Sequence, residues 1–321
     1  MVNVADRKVC FSNRAYETET LRKWVDRGIP YPIAVYGPEG CGKTTLFRYF
    51  VKRIQEDGYV GIYVNALGVR DLSEVVEFPR LDVVNEVLRE VIKELHLPLG
   101  TVVSKYVSCL VSKLVGKISG VGRGLILVLD DVYKAIGLGE VDRYTKMLYE
   151  WITWKLPELD VRRYLVVLTT SEGVSKRELL KHTYVHTYML WNLPLNGFYE
   201  LLDQLNPPMD YERIWRITGG NPRLLAELIE LEWSVDKLIE RYREKVLRLL
   251  TIGGISLEVA KQLAENSDSN PRYALKLEEL GLMVQLMRKL TLGKPVIESY
   301  ELGVGKEWAW QTPIYKDVLL S

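Results

Sequence analysis

Three cysteines in 321 residues, Cys10, Cys41 and Cys109, are too few for a disulfide framework, and their spacing fits no zinc site. Reduced thiols are expected. Strong charge of either sign is also missing: 43 basic residues stand against 42 acidic ones, so the molecule as a whole offers nucleic acid or anionic lipid no strong field. Long apolar runs are absent. No stretch approaches the roughly 18 residues that cross a bilayer, and Met1 to Cys10 has no apolar core of the signal-peptide kind. A soluble cytoplasmic chain without a membrane partner is expected. There is no internal repeat, no low-complexity segment and no Asn-Lys-x-Asp element to read guanine.

What is present begins with apolar runs rich in β-branched residues, at Pro32 to Gly37, Val60 to Ala66, Leu125 to Asp130, Tyr164 to Thr170 and Tyr188 to Leu193. They are near-continuous rather than alternating, the pattern of parallel strands buried on both faces, with intervening segments long enough for crossover helices. A parallel five-stranded sheet in an α/β core over residues 1–195 follows. In the first crossover Leu46, Phe47, Phe50, Val51 and Ile54 share one helical face and Asp57-Gly58 ends it. Leu67 to Arg123 is long enough for two helices. From Gly197 to about Arg248 the period is helical, broken at Gly219-Gly220-Asn221-Pro222, which predicts a small helical lid subdomain over 196–245. Residues 246–321 change character again. Helical stretches at Ser256 to Asn266 and Pro271 to Leu282, joined by a Ser-Asp-Ser-Asn turn, precede alternating segments around Val296 to Leu302 and Lys306 to Thr312, an order that predicts a winged helix.

Gly37-Pro38-Glu39-Gly40-Cys41-Gly42-Lys43-Thr44 fits the phosphate-loop pattern G-x-x-x-x-G-K-[ST], and it lies where the mechanism needs it, after a strand and opening a helix. Glycines let the backbone wrap a phosphate so that N–H groups point inward, and the helix N-terminus adds a favourable dipole. Lys43 is then the bridge between β- and γ-phosphates and Thr44 a magnesium ligand, with Thr45 beside it at the nucleotide. Cys41 fills a free position of the loop. The second element is Leu125 to Asp131, an apolar strand ending in two acids. Asp130 is expected to hold magnesium, directly or through water, and Asp131 to orient or deprotonate the attacking water. Against this stands the plainer reading that the two acids cap the next segment or face solvent.

These residues resemble the archaeal ATPase family, within the broad class of AAA+ and STAND ATPases. The resemblance rests on Phe11-Ser12-Asn13-Arg14, the phosphate loop, Asp130-Asp131, Leu168-Thr169-Thr170-Ser171 and Thr218-Gly219-Gly220-Asn221-Pro222-Arg223. It implies that Pro222 packs on the base, that Asn13 and Arg14 lie near the adenine or ribose, that ATP or ADP with Mg2+ is bound, and that a winged helix follows the lid. Two departures stand out. Related signalling ATPases often have Thr-Thr-Arg where this chain has Thr169-Thr170-Ser171, so a hydroxyl, Thr170 or Ser171, is left to contact the γ-phosphate or the water, more weakly than a guanidinium would. No arginine finger is evident either; Lys176, Arg177 and Arg223 are candidates that read equally as surface charges. A finger is typically worth about 10³ to 10⁵ in rate, so slow basal turnover is expected until a neighbour supplies one.

Weaker signals remain. Val102, Val103, Tyr106, Val107, Leu110, Leu114 and Val115 form an apolar stripe, with Lys105, Lys113 and Lys117 on another face; packing on the sheet is expected, a partner or membrane surface the alternative. Trp308 and Trp310 are expected in a hairpin core rather than stacked on bases. Asp236 to Ser321 holds 13 basic and 12 acidic residues, a poor footprint for DNA, although Arg272 and Lys276 on the second helix and Arg288 and Lys289 near the wing leave a local patch. The leading expectation is an ATP-driven switch that moves its C-terminal module for contact with a protein partner, itself or DNA. Its rivals are a DNA-stimulated remodelling ATPase and a non-catalytic scaffold gated by ADP and ATP.

Overall fold

Five of the apolar runs become strands because each can bury both of its faces. The computed structural model describes residues 1–11, 13–68, 75–77, 85, 102–103, 105–117, 124–159, 161, 163–170 and 173–321. Val2–Val4 (β1) and Arg7–Val9 (β2) form an antiparallel hairpin that the sequence did not announce. Then come Ile33–Tyr36 (β3), Val60–Asn65 (β4), Val76–Glu77 (β5), Leu125–Asp130 (β6), Tyr164–Thr170 (β7) and His186–Met189 (β8). Their spatial order is β5-β4-β6-β7-β3-β8, with β4, β6, β7 and β3 paired in parallel.

Two details differ from expectation. The sheet has six strands among the described residues rather than five, because β5 adds to the β4 edge in antiparallel sense. The last strand also starts and ends earlier than Tyr188 to Leu193. Past Met189 the backbone is bonded elsewhere: Leu193 N–H donates to Gly220 O, and Trp191 O accepts from Arg14. Of the two helices expected between Leu67 and Arg123, Val107–Lys117 is present, and most of the rest of that stretch lies outside the described residues.

The chain divides into two compact units. One comprises Glu17–Tyr36 and Thr44–Tyr188 and holds the sheet. Its strands alternate: Ile62, Val64, Leu125, Leu127, Leu129, Val166 and Leu168 share one core, while Tyr63, Asp130 and Thr169 point to the other face. Of the apolar stripe, Val103, Val107 and Leu110 lie in that core and Val102 is buried, in keeping with packing on the sheet, but Tyr106 is 40% exposed together with Lys105 and Lys113, and the side chains of Leu114 and Val115 lie outside the described residues. At about 1.5–3 kcal/mol for each large aliphatic side chain fully buried, this layer accounts for most of the drive to fold the unit.

The second unit comprises Met1–Tyr16, Gly37–Lys43 and Met189–Ser321. Helices Leu195–Leu205, Tyr211–Thr218, Pro222–Glu230, Val235–Ile252, Leu257–Glu265, Pro271–Glu279 and Pro313–Leu320 share a single core with the β1–β2 hairpin. Asn221, Ser234, Ser256 and Asn270 each cap a helix through the side-chain oxygen, which explains why these helices start where they do. Val235–Ile252 runs unbroken through residues 245 and 246, where a division between lid and C-terminal module was expected. Met283–Gln285 (β9) pairs antiparallel with Trp308–Trp310 (β10), so the helix–turn–helix–ribbon order is present. Val296 to Leu302, expected as strand, instead ends in a 3-10 turn at Tyr300–Leu302. Trp308 and Trp310 are 4% and 1% exposed and belong to the core, out of reach of a base. Among the described residues no helix is long and apolar enough to cross a membrane.

Candidate functional site

The loop Gly37–Lys43 takes a conformation that only its composition allows. Gly40 and Gly42 have φ of +77° and +96°, and a Cβ on Gly40 would lie 2.4 Å from the Cβ of Arg223. Cys41 N–H closes a turn on Pro38 O at 3.2 Å. The Lys43 ammonium, on a residue 8% exposed, donates to Gly37 O at 2.9 Å and Pro38 O at 3.0 Å, so it is held over the mouth of its own loop. The Cys41 side chain is wholly buried, its thiol directed to Leu190 O at 3.5 Å.

Several positions outside the loop brace it. Arg14 is 4% exposed, and its guanidinium donates to Cys41 O at 2.8 Å and Trp191 O at 2.9 Å. These bonds give it a supporting role behind the loop, where the resemblance implied a place near adenine or ribose. Asn13, at φ +43°, donates to Glu200 Oε1 at 3.3 Å and lies against Gly197. Pro222 occupies the first turn of Pro222–Glu230, where its missing N–H costs nothing. Asn221 just before it accepts from Arg223 N–H and Leu224 N–H while donating to Glu39 O at 2.8 Å and Asn192 Oδ1 at 2.9 Å. Gln311 completes this net: its Oε1 accepts the Glu39 N–H at 2.8 Å and its backbone O accepts from Asn192 at 2.9 Å. Arg223 forms an ion pair with Glu39, which ties up one of the candidate finger cations. A cavity of about 170 Å³ opens beside this net, lined among others by Glu39, Arg223, Glu227, Tyr242 and Lys245. Sequence reasoning missed Asn192 and Gln311, because an amide gives no sign of its partner until the fold brings it there.

In the sheet unit, Asp130 is the meeting point of three hydroxyls. It is 4% exposed. Thr44 Oγ1 donates to its Oδ2 at 2.6 Å, Tyr63 Oη donates to the same oxygen at 2.5 Å, and Thr169 Oγ1 donates to Oδ1. The parallel register places Asn65 across from Asp130 and Leu129 across from Leu168, which puts Tyr63 and Thr169 on the Asp130 face of the sheet. Tyr63 was overlooked as the middle of an apolar run, yet the two-residue period gave its face. Burial, and then the Asp130 charge, push the Tyr63 phenol far above its ordinary pKa, so it is always a donor here.

Asp131 departs from the strand into left-handed backbone, φ 53° and ψ 31°, and its N–H donates to Thr169 Oγ1 at 3.0 Å. Thr170 is 3% exposed and lies in register with Tyr36, on the opposite face from Thr169; Ser171 lies outside the described residues. Lys176 is 1% exposed with its ammonium 5.0 Å from the Tyr36 ring centroid, so it is an interior side chain of its unit and not a surface cation. Arg177 is partly exposed.

Thr44, whose hydroxyl gives its proton to Asp130, keeps its oxygen lone pairs for a hard cation, and hydroxyl plus carboxylate oxygen is the donor set that magnesium takes. Among the described residues no group of three or more His, Cys, Asp or Glu could enclose a metal ion.

A family model described as an ATPase domain predominantly from Archaea matches residues 11–228. No curated protein matches the sequence significantly. Among solved structures, Cdc6p from Pyrobaculum aerophilum is 14% identical, with 96% of this chain and 93% of that one covered at a TM-score of 0.42. The Aeropyrum pernix ORC2 protein, in ADPNP-ADP complexes, is 17% identical, covering 96% and 95% at 0.41. Replication initiator DnaA bound to AMPPCP and single-stranded DNA is 17% identical, covering 83% and 76% at 0.42.

Proposed function

Since the chain belongs to the family of ATPase domains found predominantly in Archaea, we propose that it is a magnesium-dependent ATP switch whose nucleotide state is relayed to its C-terminal module. The carrying observation is the Thr44–Asp130 hydrogen bond, which joins two motifs 86 residues apart in the way a magnesium–phosphate site needs. Gly40 and Gly42 would offer backbone N–H groups to the phosphates, Lys43 would leave the Gly37 and Pro38 carbonyls for them, and Thr44 with Asp130 would hold the cation that neutralises their charge. Asp131 orients the attacking water from its left-handed position, Thr170 contacts the γ-phosphate or that water, and Pro222 flanks the base. The domain division proposed is 1–195, 196–245 and 246–321, the last a winged helix in the AAA+ and STAND manner.

The relay is supported by the Gln311 bond to the Glu39 N–H, since a change in the phosphate loop alters a contact made by the residue that leads into the last helix. Basal turnover is slow in this reading: Lys176 is interior and Arg223 is paired with Glu39, which leaves the partly exposed Arg177, a partner or a second copy as the source of a rate-enhancing guanidinium. In the test, hydrolysis depends on ATP and magnesium, vanishes in Lys43→Ala, and is lost in Asp131→Asn with binding retained; fast turnover by dilute monomer contradicts the reading. DNA contact is the second reading, favoured by the exposed Arg272 and Lys276 on Pro271–Glu279. Arg288 does not add to it, because its guanidinium is bonded to the carbonyls of Val296, Gly305 and Lys306.

A further inference from the structure

Tyr63 is a wholly buried side chain against Asp130, 1% exposed, and nothing in the proposed chemistry yet uses it. Its hydroxyl meets one partner, Asp130 Oδ2, at 2.5 Å. The ring is held in place from above by the Arg48 guanidinium, 5.2 Å from its centroid, and Arg48 in turn pairs with Glu77, which stands directly across from Tyr63 on β5. A tyrosine so fixed does more than fill space.

A carboxylate offers about four lone-pair sites, two on each oxygen. On Asp130 the two on Oδ2 are taken by Thr44 and Tyr63, and one on Oδ1 is taken by Thr169. A single site remains. Divalent cations differ in what they ask of such a group: magnesium parts with its waters reluctantly and accepts a carboxylate that hydrogen-bonds to those waters, whereas calcium takes six to eight oxygens and readily binds a carboxylate through one or both of them.

We propose that Tyr63 is a positioning residue that sets metal preference: by occupying Asp130 Oδ2 it keeps the carboxylate from binding a cation through both oxygens, and so favours magnesium over calcium. The claim rests on the nucleotide reading above and adds to it a selectivity that the phosphate loop alone does not supply.

The test uses the full chain and a fluorescent ATP analogue, with binding followed as magnesium or calcium is added and again in chelator. In Tyr63→Phe the ratio of calcium to magnesium needed for half-maximal binding falls by about tenfold, within the range typical of groups that orient metal ligands, while metal-free binding is unchanged. Tyr59→Phe is the matched control. It also removes a tyrosine–carboxylate hydrogen bond, to Asp26, from a buried ring beside the same strand, and it leaves the ratio as in the wild type. An unchanged ratio in Tyr63→Phe, or an equal shift in Tyr59→Phe, overturns the proposal. If Tyr63→Phe is too unstable to assay, the wild type decides, since equal support of binding by the two metals overturns it as well. A wild-type chain that binds no ATP with either metal removes the nucleotide reading, and this proposal falls with it.

Discussion

Replacing Thr169 by valine keeps the shape of the side chain and removes one hydroxyl that serves two acids at once. That hydroxyl donates to Asp130 Oδ1 and accepts from the Asp131 N–H at 3.0 Å. A hydrogen bond to a charged carboxylate contributes about 1.5–3 kcal/mol, and an amide hydrogen left unmet costs about 1–3 kcal/mol. The second loss falls on a residue already in left-handed backbone, φ 53°, a conformation that costs roughly 1–3 kcal/mol and persists only while its surroundings hold it. Allowing for water reaching the half-buried amide, Thr169→Val should destabilise the sheet unit by about 3 kcal/mol, read as a fall in the urea midpoint. Its effect on turnover should be larger than its effect on binding. A shift of Asp131 by about 1 Å is enough to cost roughly 10²-fold in rate, whereas Thr169 reaches Thr44 of the phosphate loop only through Asp130, so nucleotide affinity should change less. Single-turnover hydrolysis and nucleotide affinity, measured together, separate the two. A Thr169→Val protein within about 0.5 kcal/mol of wild type and with full turnover would refute the reasoning, since scatter among ordinary surface changes is of that size. Thr170→Val, on the opposite face of β7, should leave the position of Asp131 intact.

Two other outcomes are expected. Cys41, wholly buried and directed at Leu190 O, should react with a thiol-alkylating reagent far more slowly than the exposed Cys10 and Cys109, and once modified it should block nucleotide binding; rapid labelling of all three cysteines in the native protein contradicts the loop geometry. Trp310→Ala should cost about 3–5 kcal/mol by opening a cavity in the second unit and breaking the indole bond to Leu263 O, so circular dichroism should show early melting; a thermal midpoint close to wild type rules out its place in that core.

Much of the core was legible because parallel strands announce themselves by uninterrupted apolar composition. Leu125 to Asp130 and Tyr164 to Thr170 begin and end as read, and the phosphate loop was fixed by the glycines and Lys43 in a pattern few other structures need. The misplaced strand shows the limit. Leu190, Trp191 and Leu193 are as apolar as any strand residue, but whether backbone groups pair with a neighbouring strand or with Arg14 and Gly220 depends on residues far away in the sequence. β5, only two residues long, carries no periodic signal at all. In the site itself, residues with a chemical signature were found and those that act through neighbours were not. Arg14 was assigned to the nucleotide through the family resemblance, yet two of its bonds go to the backbone carbonyls of Cys41 and Trp191; Tyr63 was passed over as strand composition and Thr169 was quoted only as part of a motif, though both complete the surroundings of Asp130.

The helix Val235–Ile252 has a mechanical corollary. Eighteen residues without a break make a rod of roughly 27 Å, and a tilt of about ten degrees at its Ser234 end would carry the far end sideways by about 5 Å. Because the helix is unbroken at residues 245 and 246, a rotation at its Ser234 end would be carried along its whole length to Gly253-Gly254, where the chain next turns.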